Sequence, residues 1–346
     1  MTRPALPAPL VAAARTTAAE LAQQAARLEA EGVTREDVRQ LADAGLLAVS
    51  GPPELGGLPA DEQRQVAEAL AGGSPDAWFV WFQHGPVVRM LARSENTALR
   101  ERHLPDLCAG RALGGVAYSH LRTPRPSVLA ERVDGGWRLT GSQPWCTGWP
   151  LVDLVLAGAL DRDGDAVVFG LVPAGDRPEL RSTGELRLAA MAGTRTHALA
   201  FDGLLVPDEQ VVAVRDRAEF AEYDTALSAN VQPSTYGVAL AALALLEERQ
   251  PAVAGRLRER VLDSRGSAYR LLDEVPGDER VDERLAVRAA ALLLAMECCT
   301  ALLAARGGQG MDLADPAQRL LRAAAFQLVH SQAAHVRAAT LDALAA

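Results

Sequence analysis

The stretch GSQPWCTGWPLVD, residues 141–153, sets Trp145, Cys146 and Thr147 straight after a tight turn. An indole offers a flat apolar face, a hydroxyl offers one donor and two acceptor sites, and a buried thiol adds little besides bulk. The trio suits either a strand end packed on a neighbouring layer or the wall of a pocket for a flat cofactor. Other residues with chemistry to offer are sparse. His84 ends the apolar run DAWFVWFQHGP, His120 and Arg122 follow Tyr118 in AYSHLR, and His330 and Ser331 stand side by side in QLVHSQAAHV. Histidine titrates nearest neutrality, so His84 and His330 are candidates for proton transfer. His84 reads equally as a core histidine bonded to backbone, and a satisfied or surface histidine is the favoured reading of His330. His330 and His335 are five apart, poor spacing for two ligands on one helical face, and the four cysteines show no C-x-x-C, so no metal site is expected.

Composition narrows the chemistry further. The chain has 346 residues, 49% hydrophobic and 23% charged, an ordinary globular balance. Its formal charge of −9 gives no positive field for nucleic acid or an anionic membrane surface. All 35 basic residues are arginine. A Schiff-base lysine and a P-loop lysine are therefore excluded. Adjacent Cys298 and Cys299 lie in an apolar helical run and read as buried thiols. The N-terminal stretch lacks the hydrophobic core and cleavage pattern of a secretory leader, and a cytoplasmic protein is expected.

The elements that must position these residues fall into three regions. Residues 1–112 read as helices: Thr34 stands three before Asp37 in a capping-box spacing, Gly45 is a plausible stop, and the segment holding His84 is apolar on nearly all sides. Residues 113–212 read as a β domain, with short β-branched and aromatic runs separated by DGG, DRDGD and AGDRPE turns. Residues 213–346 return to Ala- and Leu-rich helices that suggest a bundle. The expected architecture is mostly α with a central antiparallel β-barrel or sandwich domain.

That order, with these motifs in place, resembles the acyl-CoA dehydrogenase superfamily over about residues 15–340. Leu104-Pro105 with Gly110, GWRLTGSQPWCTGWPLVD, AGTRTHALAFDGLLVP and RGGQGMDLADPAQRLLRAAA match its signature stretches in colinear order. The resemblance implies an N-terminal helical domain, a β domain, a C-terminal four-helix bundle, and FAD held at their junction. It assigns Trp145, Cys146 and Thr147 to the flavin wall, Tyr118 to the adjacent strand, and Gly307 and Gly308 to close approach on the cofactor. It also implies a homodimer or homotetramer and a small-molecule substrate such as an acyl thioester.

Departures from the family pattern bear on the chemistry. The loop that touches CoA is about six residues short and lacks GSD. No R-x-x-F-G segment is present, leaving Arg256 or Arg258 as substitutes, and Ala304 stands where the family has glutamine. The usual catalytic glutamate lies nine residues beyond the motif arginine; from Arg322 that count reaches Ser331, beside His330. Asp224 and Glu222 are the alternative carboxylates. Three functions stay open at this point: a flavin-dependent oxidoreductase acting on CH–CH groups, a flavin-dependent monooxygenase of the same fold, and a family member that has lost FAD.

Overall fold

The structure is a computed structural model that describes residues 9–331 and 333–346. Five helices form the first layer: α1 (Pro9–Glu31), α2 (Arg35–Asp43), α3 (Ala60–Gly73), α4 (Pro75–Ala92) and α5 (Thr97–Cys108). Helix α2 starts at the expected capping box, with the Asp37 N–H on Thr34 Oγ1 at 3.3 Å and the Thr34 N–H on Asp37 Oδ2 at 2.8 Å. Gly45, at φ +74°, takes the left-handed turn that ends this unit. Helix α4 starts on Ser74 as N-cap with Pro75 in its first turn, and buries eleven of its residues. This is what a segment without a polar face must do.

The strands run between Gly114 and Asp216: β1 (Gly114–Ala117), β2 (Val128–Val133), β3 (Gly136–Cys146), β4 (Leu154–Asp161), β5 (Ala166–Pro173), β6 (Leu180–Glu185), β7 (His197–Pro207) and β8 (Val211–Asp216). They form one eight-stranded sheet in the order β6-β7-β3-β2-β4-β5-β8, with β1 on β4. The pairing is not wholly antiparallel, because β1 and β2 both run parallel to β4. A shared corner explains the first of these. The Leu113 N–H bonds Asp153 Oδ2 at 2.8 Å and the Asp153 N–H bonds the Leu113 carbonyl at 2.8 Å, so β1 and β4 leave one point in one direction. Strand β4 is buried along nearly its whole length, as a central strand covered on both faces should be.

Six helices complete the chain: α6 (Arg217–Ser228), α7 (Pro233–Glu247), α8 (Pro251–Glu274), α9 (Val281–Arg306), α10 (Pro316–Val329) and α11 (Ala334–Ala345). Helix α9 packs on α7, α8, α10 and α11, and α7 packs closely on α3 of the first layer. Gly237 permits that last contact: a Cβ there would lie 2.3 Å from the Glu68 carbonyl oxygen. Two arginines on α9, Arg284 and Arg288, are 2% exposed. Arg284 donates to the carbonyls of Leu271, Val275, Pro276 and Glu279, and Arg288 to those of Ser228, Asn230 and His330. These carbonyls lie at or just beyond the C-termini of α8, α6 and α10, where unpaired oxygens and the helix dipole favour a cation. The buried charges hold the ends of three helices on one side of α9.

Candidate functional site

Strand β3 delivers Trp145, Cys146 and Thr147 to the seam between the sheet and α4. Trp145 is 50% exposed, whereas Cys146 is fully buried opposite His197 of β7. Burial pushes the Cys146 thiol up to about 12, so it is inert filler rather than a nucleophile. The Gln143 side-chain amide donates to the Trp145 carbonyl at 2.6 Å and to Ser119 Oγ at 2.9 Å, tying the wall to the turn after β1. Its other end, Gln143 Oε1, is buried and has no hydrogen-bond partner.

Thr147 closes a chain of hydroxyls. Thr196 Oγ1 donates to Thr147 Oγ1 at 3.2 Å and lies 2.8 Å from Thr194 Oγ1, which donates to the Met191 carbonyl at 2.7 Å. The Gly148 N–H bonds the Thr194 carbonyl at 2.9 Å. Each of these hydroxyls has one proton to give, and Thr147, 6% exposed, follows the exposed Trp145 indole in the chain. A threonine hydroxyl, an exposed indole and an unpartnered amide oxygen are groups of the kind that fit the polar edge of a flavin ring.

The turn behind this wall is strained. Met191 and Arg195 adopt φ of +58° and +51° without being glycine. Between them Gly193 lies hard against α1: a Cβ there would sit 1.9 Å from the Leu28 carbonyl oxygen. The Gly193 N–H bonds Asp76 Oδ1 of α4 at 2.8 Å, and the Gly193 carbonyl accepts the Val33 N–H at 2.8 Å. Asp76, 1% exposed, was not among the residues the sequence singled out. Burial, then the nearby Glu29, push its carboxyl up to about 7, against the Gly193 N–H and Arg319, which pull it down.

Tyr118 lies edge-on to Phe169 of β5, with ring centroids 5.6 Å apart, so it packs on the sheet below the wall. Arg122 grips Asp224 through three N–H···O contacts of 2.7–3.1 Å, and Glu222 is exposed. Gly307 and Gly308 sit in the exposed turn after α9, where an added Cβ would meet nothing within 4 Å. Arg258 pairs with Glu247 at 2.5 Å, while Arg256 and Ala304 are exposed. The structure brings Trp145, Cys146 and Thr147 together and leaves the glycine turn open to solvent.

His330 and Ser331 do not continue a helix. Helix α10 stops at Val329, His330 is extended, and Ser331 takes φ +52°. The His330 ring sits in an aromatic box: edge-on to Trp78, Phe79 and Phe82 at 5.9, 5.1 and 5.2 Å, and stacked on Phe326 at 5.2 Å. Burial, then Arg288 and Arg122, hold its pKa down to about 3, so the ring is neutral at physiological pH. Ser331 Oγ lies 3.3 Å from its Nε2, and Nδ1 has no partner. His84 serves the backbone instead. Its Nδ1 accepts the Gly114 N–H at 2.9 Å, fixing α4 to β1, and burial lowers its pKa to about 4. Of its two readings, the core histidine is the one the geometry gives.

Residues 10–111 match the family model described as acyl-CoA dehydrogenase, N-terminal domain. Isovaleryl-CoA dehydrogenase of Arabidopsis thaliana is 24% identical over 204 residues, 56% of this chain and 50% of that protein. The chain spans about half the length of the curated relatives it matches. Butyryl-CoA dehydrogenase of Megasphaera elsdenii superposes with a TM-score of 0.79 at 17% identity, covering 100% of both chains. Dibenzothiophene monooxygenase of Paenibacillus superposes with a TM-score of 0.78 at 16% identity, covering 97% of this chain and 96% of that one. The first layer thus matches the acyl-CoA dehydrogenase N-terminal domain in sequence, and all the layers together have the acyl-CoA dehydrogenase fold.

Proposed function

We propose that this protein is a flavin-dependent oxidoreductase acting on a small molecule, and that it works as a monooxygenase rather than as an acyl thioester dehydrogenase. One observation carries the choice. Desaturating an acyl thioester requires a base to take the α-proton, and the position that family resemblance assigns to that base holds Ser331 beside a neutral, boxed-in His330. A histidine held down to about 3 cannot store a proton near neutrality. Of the two alternative carboxylates, Asp224 is held by Arg122 and Glu222 is exposed. Reduced FAD at the Thr147 wall would supply two electrons, so that one atom of dioxygen enters the substrate and the other leaves as water.

The residues of the chain would then bind and orient. Trp145 covers a ring face, Thr147 donates to the polar edge, and Gln143 holds the Trp145 carbonyl in place. Trp78, Phe79 and Phe82 on α4 would close the His330 corner to water. The likeness to a dibenzothiophene monooxygenase supports this reading, as the butyryl-CoA dehydrogenase likeness supports the alternative of dehydrogenation. Exposed Met311 and Leu313, just after the open glycine turn, support assembly into a homodimer or homotetramer.

The test is the visible spectrum of the purified protein, with and without added FAD, for the native chain and Thr147→Val. Flavin bands are expected in the native protein, with affinity about tenfold weaker in the variant, the weight of one hydrogen bond to the ring. Anaerobic butyryl-CoA should leave those bands unbleached. Bleaching would sink the monooxygenase reading, and a protein that takes up no FAD would sink both.

A further inference from the structure

The carboxyl of Asp76 lies at the meeting point of all three regions: on the first turn of α4, against the Met191–Arg195 turn of the β domain, facing Arg319 of α10. Among the described residues no cation comes within 4 Å of it, unlike the other deeply buried acids Asp37 and Asp315, which pair with Arg27 and Arg306. Arg322 is engaged with Glu29 of α1 at 2.7 Å, so α10 presents only Arg319 to Asp76, α1 only Glu29, and the turn only the Gly193 N–H. A lone buried carboxyl bonded to a strained turn has an unusual amount of control over that turn.

We propose that Asp76 is the positioning residue of the Thr147 wall: by holding the Gly193 N–H it fixes the strained Met191–Arg195 turn, and through Thr194 and Thr196 it fixes the Thr147 hydroxyl. Asp76 touches neither the wall nor anything bound to it. The turn reaches the wall at two points, the Gly148 N–H on the Thr194 carbonyl and the Thr196 hydroxyl on Thr147, so any opening of the turn releases both. The consequence for cofactor binding rests on the reading of Thr147 as a flavin-facing residue. The latch itself does not.

The latch has a defined pH sense. In the closed turn Asp76 holds its proton up to about 7, against an ordinary value of 3.8. In an opened turn the carboxyl is solvated and titrates near the ordinary value. Protonation therefore favours the closed turn, and rising pH between about 4 and 7 favours opening by at most about tenfold per unit, with no further change above that window. Asparagine, which accepts the same hydrogen bond and cannot ionise, mimics the protonated acid.

Hydrogen exchange of the whole chain without added flavin, corrected for intrinsic rates and followed by mass spectrometry over residues 191–196, reads the latch. Native protein should exchange this segment at least about tenfold faster at about pH 8 than at about pH 5.5. Asp76→Asn should be protected at both values, and Asp76→Ala at neither. A flat native profile, or an alanine variant as protected as the native chain, overturns the proposal. Adding FAD separates the two ideas. If FAD fails to bind while the exchange pattern holds, the flavin reading fails and the latch stands; tight FAD binding with flat exchange gives the reverse.

Discussion

The Thr147 wall and the His330 corner both lean on α4, and they are built on opposite principles. At the wall, three threonine hydroxyls are chained to one another and to the Met191 carbonyl. At the corner, an imidazole is packed among four aromatic rings and held neutral. Val80 of α4 lies against Gly148, while Trp78, Phe79 and Phe82 of the same helix close on His330. One helix thus supports a region able to donate a hydrogen bond and a region unable to accept a proton. The chemistry a fold can run is decided by such local differences rather than by the fold, which is why architecture alone does not separate the two flavin chemistries.

The two regions should also break differently. The backbone at the corner depends on Arg288, whose guanidinium reaches the Ser228, Asn230 and His330 carbonyls, whereas the wall is built of neutral hydroxyls with the Asp76 carboxyl behind them. Arg288→Met strands three buried carbonyls and should cost about 3–5 kcal/mol in urea unfolding, each stranded group contributing on the order of 1–3 kcal/mol with partial relaxation. Thr147 and its hydroxyl chain should keep their geometry in the folded fraction. A loss below about 1 kcal/mol would mean that α6 and α10 are held by packing alone.

A pH experiment sharpens the contrast. The folded state lowers His330 from 6.5 to about 3, so it binds fewer protons than the unfolded chain between those values. The contribution of the neutral ring is fully present above about 6.5 and is lost as pH falls toward 3. His330→Phe removes this liability while keeping the box filled. It should be near neutral at about pH 7.5 and more stable than the native chain by roughly 2 kcal/mol at about pH 5, the weight of about 1.5 units of suppressed protonation. His84 shows the same downward shift, but phenylalanine there also strands the Gly114 N–H, so His84→Phe should cost about 2 kcal/mol already at neutral pH. Equal behaviour of the two variants would erase the distinction between a filler histidine and a bonding one.

Local signals were legible in the sequence. The Thr34–Asp37 capping box, the stop at Gly45, the burial of α4 and the helix–strand–helix order all follow from periodicity and turn chemistry within a dozen residues. What was not legible is long-range. Asp76 and Gly193 are 117 positions apart, and no local pattern marks a first-turn aspartate as anything but a helix-start residue. The Thr196–Thr147 and Gln143–Ser119 links, 49 and 24 positions apart, likewise lie beyond any local pattern. Nothing local marks Arg284 and Arg288 for burial on an Ala/Leu-rich helix, because their partners are helix ends contributed from elsewhere. The parallel pairings of β4 escaped for the same reason: turn signals fix hairpins, not non-local neighbours. The strained Met191 and Arg195 carry no glycine or asparagine to announce a positive φ.

Ser331 belongs to that last class, and it gives the smallest and cleanest test of the comparison. It stands at φ +52°, in the left-handed region that a side chain with a Cβ enters at a cost of roughly 1 kcal/mol. Its hydroxyl contributes one 3.3 Å contact, to His330 Nε2, too long to offset that strain fully. If the corner only terminates α10, Ser331→Gly should relieve the strain and raise stability by about 0.5 kcal/mol, with the added freedom of the unfolded glycine subtracting from the full gain. Thermal unfolding resolves a change of that size, and the flavin spectrum should not move. Should the variant instead lose turnover while gaining stability, Ser331 would be held in strain for its chemistry, and the His330 corner would have to be counted as part of the reacting site alongside the wall.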